Sequence, residues 1–492
     1  MLFNSFEFLF FFPLVVLAYF ASPQRWRWAV LLAASYWFYG AWRLEYLFLL
    51  MLTTTLDWAV AIPMSRAATQ RRRKAWLMVS LTSNLGMLAY FKYAGFLHGT
   101  LQGLVEPLGI VLHDSPAFHP LLPVGISFYT FQTLAYSIDV YRGTVPPERH
   151  LGRFALYVSF FPQLVAGPIE RAGKLQPQFQ EVHRFHGGRV VSGLTKMGWG
   201  FFQKLVIADR LAPYVNEVFT GGQPQTAGSI ILAAYFFYWQ IYADFSGYTD
   251  IAIGSARVMG FELSENFDRA YLATSTADLW RRWHMSLMSW LRDYLARPLG
   301  FSRPGKVKWM RNIVIVFVVS GLWHGAAWTF ALWGLTNAIF IIVGETSRRR
   351  RNRLWDRAAA ALSRRNPRAG ALLPTARVWM QRVFMFNLMA IPLIWFRAPS
   401  FGRALEMYGT VLRAPGTLFS LPGWPLPPYE LLLAVAAVVL FMIVDGGGRA
   451  LRWPERFAVQ PRWVRWSAAY AVCLVVLMFG EFALVPFYYF QF

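Results

Sequence analysis

The sequence predicts an all-α polytopic membrane protein, and three observations predict it. Of its 492 residues 56% are hydrophobic and 18% aromatic, while only 15% carry charge, a balance too apolar for a domain with a fully hydrated surface. Apolar stretches of bilayer-crossing length recur from FEFLFFFPLVVLAYF near the start to AAYAVCLVVLMFGEFAL near the end, enough for roughly ten to twelve transmembrane helices at about 20 residues each. Between these stretches the cations gather in short clusters, as the positive-inside rule requires.

The first apolar segment lacks a basic leader and runs into ASPQRWRW rather than a small-residue cleavage site, so it is expected to remain as a membrane helix. Basic clusters at 24–28, 65–74, 141–153, 347–357 and 447–465 mark the cytoplasmic face, and the stretch 96–120, which contains no Lys or Arg, lies outside together with the N-terminus. After Arg153 the alternation breaks. FALYVSFFPQLVAGPIE should lead outward, yet it ends in the basic RAGKLQPQFQEVHRFHGGR. A re-entrant segment broken at AGP accounts for this, since irregular backbone at membrane depth is tolerated where protein or a water-filled cavity surrounds it. A full crossing with a basic outer loop is the alternative. Apolar runs at about 190–208 and 229–246 then return the chain to a long inner region, Ser246 to Arg311.

This threading divides the chain into a core over 1–345, a basic cytoplasmic loop over 346–378 and C-terminal transmembrane helices over 379–492. The outside loops 96–120, 209–228 and 399–427 are each shorter than the roughly 40 residues an unstapled domain needs. Chemistry on a large exported polymer would therefore require another protein.

The net charge of +23 comes from 48 Lys+Arg against 25 Asp+Glu. Loop clustering explains it, and without aromatic-lined single-strand platforms a nucleic-acid partner is not expected. The single Cys473 excludes an intrachain disulfide or a cysteine metal cluster. His and carboxylate residues show no clustering suited to a metal. No internal repeat is visible, which argues against an inverted-repeat transporter.

Two histidines stand apart from the other six, which lie in or beside polar loops and are expected to be solvated. His324 sits in SGLWHGAAW within a run flanked by inner-face cations at Arg311 and Arg348. That run must enter the membrane and come back. A helix from Arg311 places the ring about 20 Å in, deep in a hydrocarbon layer about 30 Å thick. An ionisable residue there faces a cavity or a polar partner, so a functional ring and a neutral ring bonded to a neighbouring helix are both open readings. His284 lies in STADLWRRWHMSLMSWLRDYLARPLG, where Ser275 and Asp278 form a capping-box pattern and Pro298 ends the helix. At 100° per residue Leu279, Trp280, Trp283, Leu287, Met288, Trp290, Leu291, Tyr294 and Leu295 fill one half of the wheel, and Arg281, Arg282, Ser286, Ser289, Arg292 and Asp293 the other, with Met285 among them. The pattern predicts one interfacial helix on the inner leaflet with His284 in its apolar arc. Core packing and catalysis are equally open for this ring.

The stretches MLFNSFEFLFFFPLVVLAYF, LPVGISFYTFQTLAYSIDVYRG, FPQLVAGPIER, YADFSGYTDIAIGSARVMGFELSENF, LWRRWHMSLMSWLRDYL and SGLWHGAAWTFALWG together resemble the membrane-bound O-acyltransferases, and within them the alginate O-acetyltransferase branch. The resemblance spans roughly residues 1–345, with departures at Ala270, Ala327 and LGFSRPGK. It implies a helical core around a central tunnel, His324 as the catalytic residue and His284 as a second functional histidine, with Trp323 among the substrate-binding residues. It further implies acetyl-CoA as acyl donor with no bound cofactor, a bacterial inner-membrane location among membrane lipids, and an exported polysaccharide as acceptor. A periplasmic acetyltransferase of the Ser-His-Asp (SGNH) type is the implied partner. On this reading Arg281, Arg282 and Arg292 are candidates to hold the CoA phosphates, or else anchor to lipid headgroups. Asp244 and Asp250 either polarise a substrate hydroxyl or form structural hydrogen bonds where a span meets the interface. Transfer of another acyl group such as D-alanine, and a proton-coupled transporter of an envelope precursor, are the rival readings.

Overall fold

The computed structural model describes residues 1–118, 120–165, 167–222, 224–300, 305–421, 427–451, 456, 459–482 and 487–488. Its regular elements are helices throughout, with no strand among the described residues. The chain forms two compact units that interleave in sequence. One comprises Met1–Asp209, Ala243–Glu265 and Gly447–Phe492, and the other Arg210–Tyr242 and Asn266–Gly446.

Among the described residues five helices are long and apolar enough to cross a bilayer: Leu44–Arg66, Trp328–Arg365, Pro367–Arg397, Tyr429–Gly447 and Arg462–Phe479. They make this a multi-pass membrane protein. The sequence reading counts roughly ten to twelve passes because it admits shorter and more polar segments. Phe6–Ala21 has 16 residues, and the apolar run at 190–208 is helix Gly187–Phe201 followed by a widened π-type stretch, Phe202–Ala208, that buries Gln203 and Lys204.

In the first unit, polar side chains join the helices at depth. Asp57 on Leu44–Arg66 is fully buried and accepts from Ser80 Oγ at 2.6 Å and Asn84 Nδ2 at 2.9 Å, while Thr133 Oγ1 donates to Asn84 Oδ1 at 3.0 Å. Three helices are thereby tied through one carboxylate, the kind of interhelical bonding that a low-dielectric interior favours. The segment after Arg153 is broken rather than one continuous helix. Leu151–Ser159 gives way to the short turn Phe161–Leu164, and Gln132 Nε2 and Gln163 Nε2 both donate to the Tyr157 carbonyl, at 2.6 and 2.7 Å. Side chains thus satisfy backbone that the helix break leaves open. Of the AGP triplet, Ala166 lies outside the described residues.

In the second unit, Lys306–His324 and Trp328–Arg365 form a helical hairpin. The chain reverses direction between them. A Cβ at Gly321 would collide with the Phe330 carbonyl oxygen, and one at Gly334 with that of Phe317, so two glycines let the backbones touch. Gly321→Val or Gly334→Val is expected to cost about 1–3 kcal/mol by overpacking, read as a lower thermal unfolding midpoint of the purified protein. An unchanged midpoint in both variants would contradict the close crossing.

The structure departs from two sequence expectations. The basic stretch 346–378 is not a loop: the helix that begins at Trp328 continues to Arg365, and the next runs from Pro367 to Arg397. Arginine is a good helix former, so a cationic run marks solvent rather than irregular backbone. The interfacial helix is also not one helix. Thr276–Arg282 stops, the chain turns at His284, and Met285–Trp290 begins anew. Leu279, Trp280, Trp283, Leu287, Trp290 and Leu291 are buried within the protein, while Met288, Tyr294 and Leu295 of the same arc are half-buried and Ser286, expected on the polar half, is buried.

Candidate active site

The break at His284 builds the site. Ser275 caps Thr276–Arg282 by accepting from Asp278 N at 3.1 Å, while Asp278 Oδ2 accepts from Thr274 N at 3.1 Å, close to the predicted capping pattern. The helix ends where Trp283 turns to extended backbone, and His284 after it takes φ 45 and ψ 53, the left-handed region, which costs a non-glycine residue on the order of 1–3 kcal/mol. The extended segment that starts at Asn266 holds the turn in place. Met285 N donates to the Asn266 carbonyl at 2.9 Å, and Asp268 N donates to the Arg282 carbonyl at 2.9 Å. The Asn266 side chain completes the clamp: its Oδ1 lies 3.1 Å from His284 Nδ1 and accepts from Ser286 N at 3.2 Å and Ser286 Oγ at 2.9 Å.

His324 comes from the other direction, as the last residue of Lys306–His324, where Gly325 leaves the helix in extended backbone. The two imidazoles end with ring centroids 6.5 Å apart. Trp323 lies 4.9 Å from the His324 ring and 5.9 Å from that of His284; Trp333 and Phe396 meet the His324 ring at 5.1 and 5.4 Å. Three helices and the broken segment therefore supply one aromatic cage around two rings. His284 is 1% exposed and His324 4%. Burial pushes the His284 pKa down to about 3, because a charged ring loses its hydration there. That ring is neutral at neutral pH.

Of the residues singled out from the sequence, His324, His284 and Trp323 come together. Arg281 and Arg292 lie exposed, beside Asp278 at 3.8 Å and Asp293 at 3.0 Å, whereas Arg282 is held by Asp278 at 3.0 Å and Asp268 at 3.9 Å. Asp244 and Asp250 belong to the first unit and are engaged in ion pairs. Lys204 Nζ lies 2.8 Å from both Asp244 Oδ1 and Asp209 Oδ1, and Tyr488 N donates to Asp244 Oδ2 at 2.7 Å. Asp250 pairs with Lys196 at 3.0 Å and accepts from Gln203 Nε2 at 2.8 Å. Sequence reasoning missed Asn266, although it sits in the quoted ELSENF motif. It also missed Trp333, Phe396 and the buried Lys204. His183, expected to be solvated, is buried against Phe261 with its Nε2 2.8 Å from the Gln178 carbonyl; His119 lies outside the described residues.

An all-helical, multi-pass membrane protein with two imidazoles in one buried aromatic cage is the class that fold and site define. The chain belongs to the membrane-bound O-acyltransferase family and is a membrane O-acyltransferase: the family model matches residues 148–363, which include Asn266, His284 and His324. It is 37% identical over 429 residues to a probable alginate O-acetylase of Azotobacter vinelandii, covering 87% of this chain and 79% of that protein. A probable alginate O-acetylase of Pseudomonas putida is 34% identical over the full length of both chains. A peptidoglycan O-acetyltransferase of Helicobacter pylori is 31% identical, over 83% of this chain and 79% of its own.

Proposed function

We propose that this O-acyltransferase takes the acetyl group of cytoplasmic acetyl-CoA and passes it across the bacterial inner membrane for O-acetylation of an exported polysaccharide, with His324 as general base. The observation that carries the reading is the pairing of His324 and His284 in one buried aromatic cage. The relatives' names supply the acyl group and the kind of polymer, being acetylases or acetyltransferases of alginate and peptidoglycan.

The thioester is already activated, so the protein must position an acceptor hydroxyl, take its proton and stabilise the oxyanion. As the hydroxyl oxygen forms its bond to the thioester carbonyl carbon, its proton passes to the His324 ring. The carbon–sulfur bond then breaks and the imidazolium returns the proton to the thiolate, releasing free CoA. His324 ends a 19-residue helix, and the negative end of the helix dipole favours the transient imidazolium. His284 orients the donor or relays the proton, and the exposed Arg281 and Arg292 attract its phosphates.

Delivery to the polymer falls to a periplasmic acetyltransferase of the Ser-His-Asp type, because the outer loops are too short to fold as a domain. Membranes containing the protein and this partner, given acetyl-CoA labelled in the acetyl group, are expected to transfer label to polysaccharide. Label transfer from a D-alanyl thioester instead, or full polymer acetylation by the purified protein alone, would overturn the donor or the partner respectively.

A further inference from the structure

The hydrogen bonds around Asn266 determine which nitrogen of His284 carries the proton. Asn266 Oδ1 receives the backbone N–H of Ser286 at 3.2 Å as well as its hydroxyl at 2.9 Å. A backbone N–H only donates. The atom it meets is therefore the amide oxygen, and an oxygen that accepts from Ser286 can only accept from the ring as well. His284 Nδ1, 3.1 Å away, must then be the protonated nitrogen. A neutral imidazole has one N–H, so Nε2 carries the lone pair.

We infer that Asn266 is a positioning residue for acyl transfer, fixing His284 as the Nδ1–H tautomer so that its basic atom is Nε2. This rests on the histidine pair being the acyl-transfer site. Asn266 is itself fully buried and held at its backbone, where its carbonyl accepts from Met285 N at 2.9 Å. One residue thus sets both the left-handed turn that presents the ring and the proton on it. The arrangement gives His284 a defined share of the chemistry: a neutral ring that accepts a hydrogen bond from substrate at Nε2 and does not donate there. His324, whose ring lies 6.5 Å away, remains the base of the proposed mechanism, and Nε2 of His284 is the second acceptor in the cage. The same logic governs histidines oriented by a carbonyl or carboxylate at one nitrogen so that the other can work.

The test is the 15N spectrum of histidine-labelled protein in membranes, with the His284 signals assigned by their loss in His284→Gln. The expected result is a protonated Nδ1 and an unprotonated Nε2 in the unaltered protein. Asn266→Ala should remove that pattern and slow acyl transfer by roughly 10- to 100-fold, the scale on which removing a histidine's orienting partner acts. Asn266→Asp keeps an acceptor oxygen and should restore both the pattern and most of the rate. A protonated Nε2 in the unaltered protein overturns the inference, and this reading stands even if Asn266→Ala fails to fold. So does an Asn266→Ala protein that folds and keeps the unaltered tautomer. Because the spectrum requires no turnover, it fails or succeeds separately from the acyl-transfer reading, which is decided by the activity of His324 variants.

Discussion

Lys204→Met is expected to destabilise the protein by about 3–5 kcal/mol, the scale for removing one partner of a buried ion pair. Its ammonium lies 2.8 Å from Asp209 Oδ1 and 2.8 Å from Asp244 Oδ1, and all three side chains are buried. Methionine has nearly the same shape, so packing survives while two carboxylates lose the cation they share. Thermal unfolding of the purified protein reads the effect. Asp244→Asn added to Lys204→Met should recover part of the loss, since it removes one of the stranded charges. The same measurement decides the sequence-derived role of Asp244. As an ion-pair partner it affects stability when replaced by Asn. A single Asp244→Asn variant with unchanged stability and lost transfer would instead make it a substrate-binding residue.

The membrane class was legible because it is local: apolar runs, sparse charge and loop cations can be read without knowing what touches what. The two candidate histidines were legible too, since His284 and His324 are ionisable rings in tryptophan-rich, apolar contexts. Their union was not, because 40 positions separate them and only the hairpin at Gly321 and Gly334 and the turn at His284 bring the rings together. The turn itself has the sequence pattern of continuous helix. Its cause is Asn266, 18 positions upstream, and a wheel drawn at 100° per residue has no place for a tertiary clamp. Lys204 went unnoticed for a similar reason. In sequence it interrupts an apolar run, and one of its two carboxylates, Asp244, is 40 positions away. The helical basic stretch after Glu345 was misread because charge reports exposure, not backbone conformation.

His324→Gln is expected to lower acyl transfer by roughly 10²- to 10⁴-fold, the range that a positioned general base contributes. The amide fills much of the ring's volume but cannot take a proton from a hydroxyl at neutral pH. Because the cage is built by Trp323, Trp333 and Phe396 around the ring, the variant should stay folded in membranes. Its unfolding midpoint should shift far less than that of Lys204→Met. A rate loss of the same size in Lys204→Met could be traced to unfolding; one in His324→Gln with an intact midpoint cannot.

Mass spectrometry of the polysaccharide exported by cells carrying either the unaltered protein or His324→Gln, at matched membrane levels, tests the account most directly. Acetyl groups on the polymer from the first cells and their absence from the second is the predicted result. Undiminished O-acetylation in the His324→Gln cells would contradict it and remove this imidazole from the chemistry.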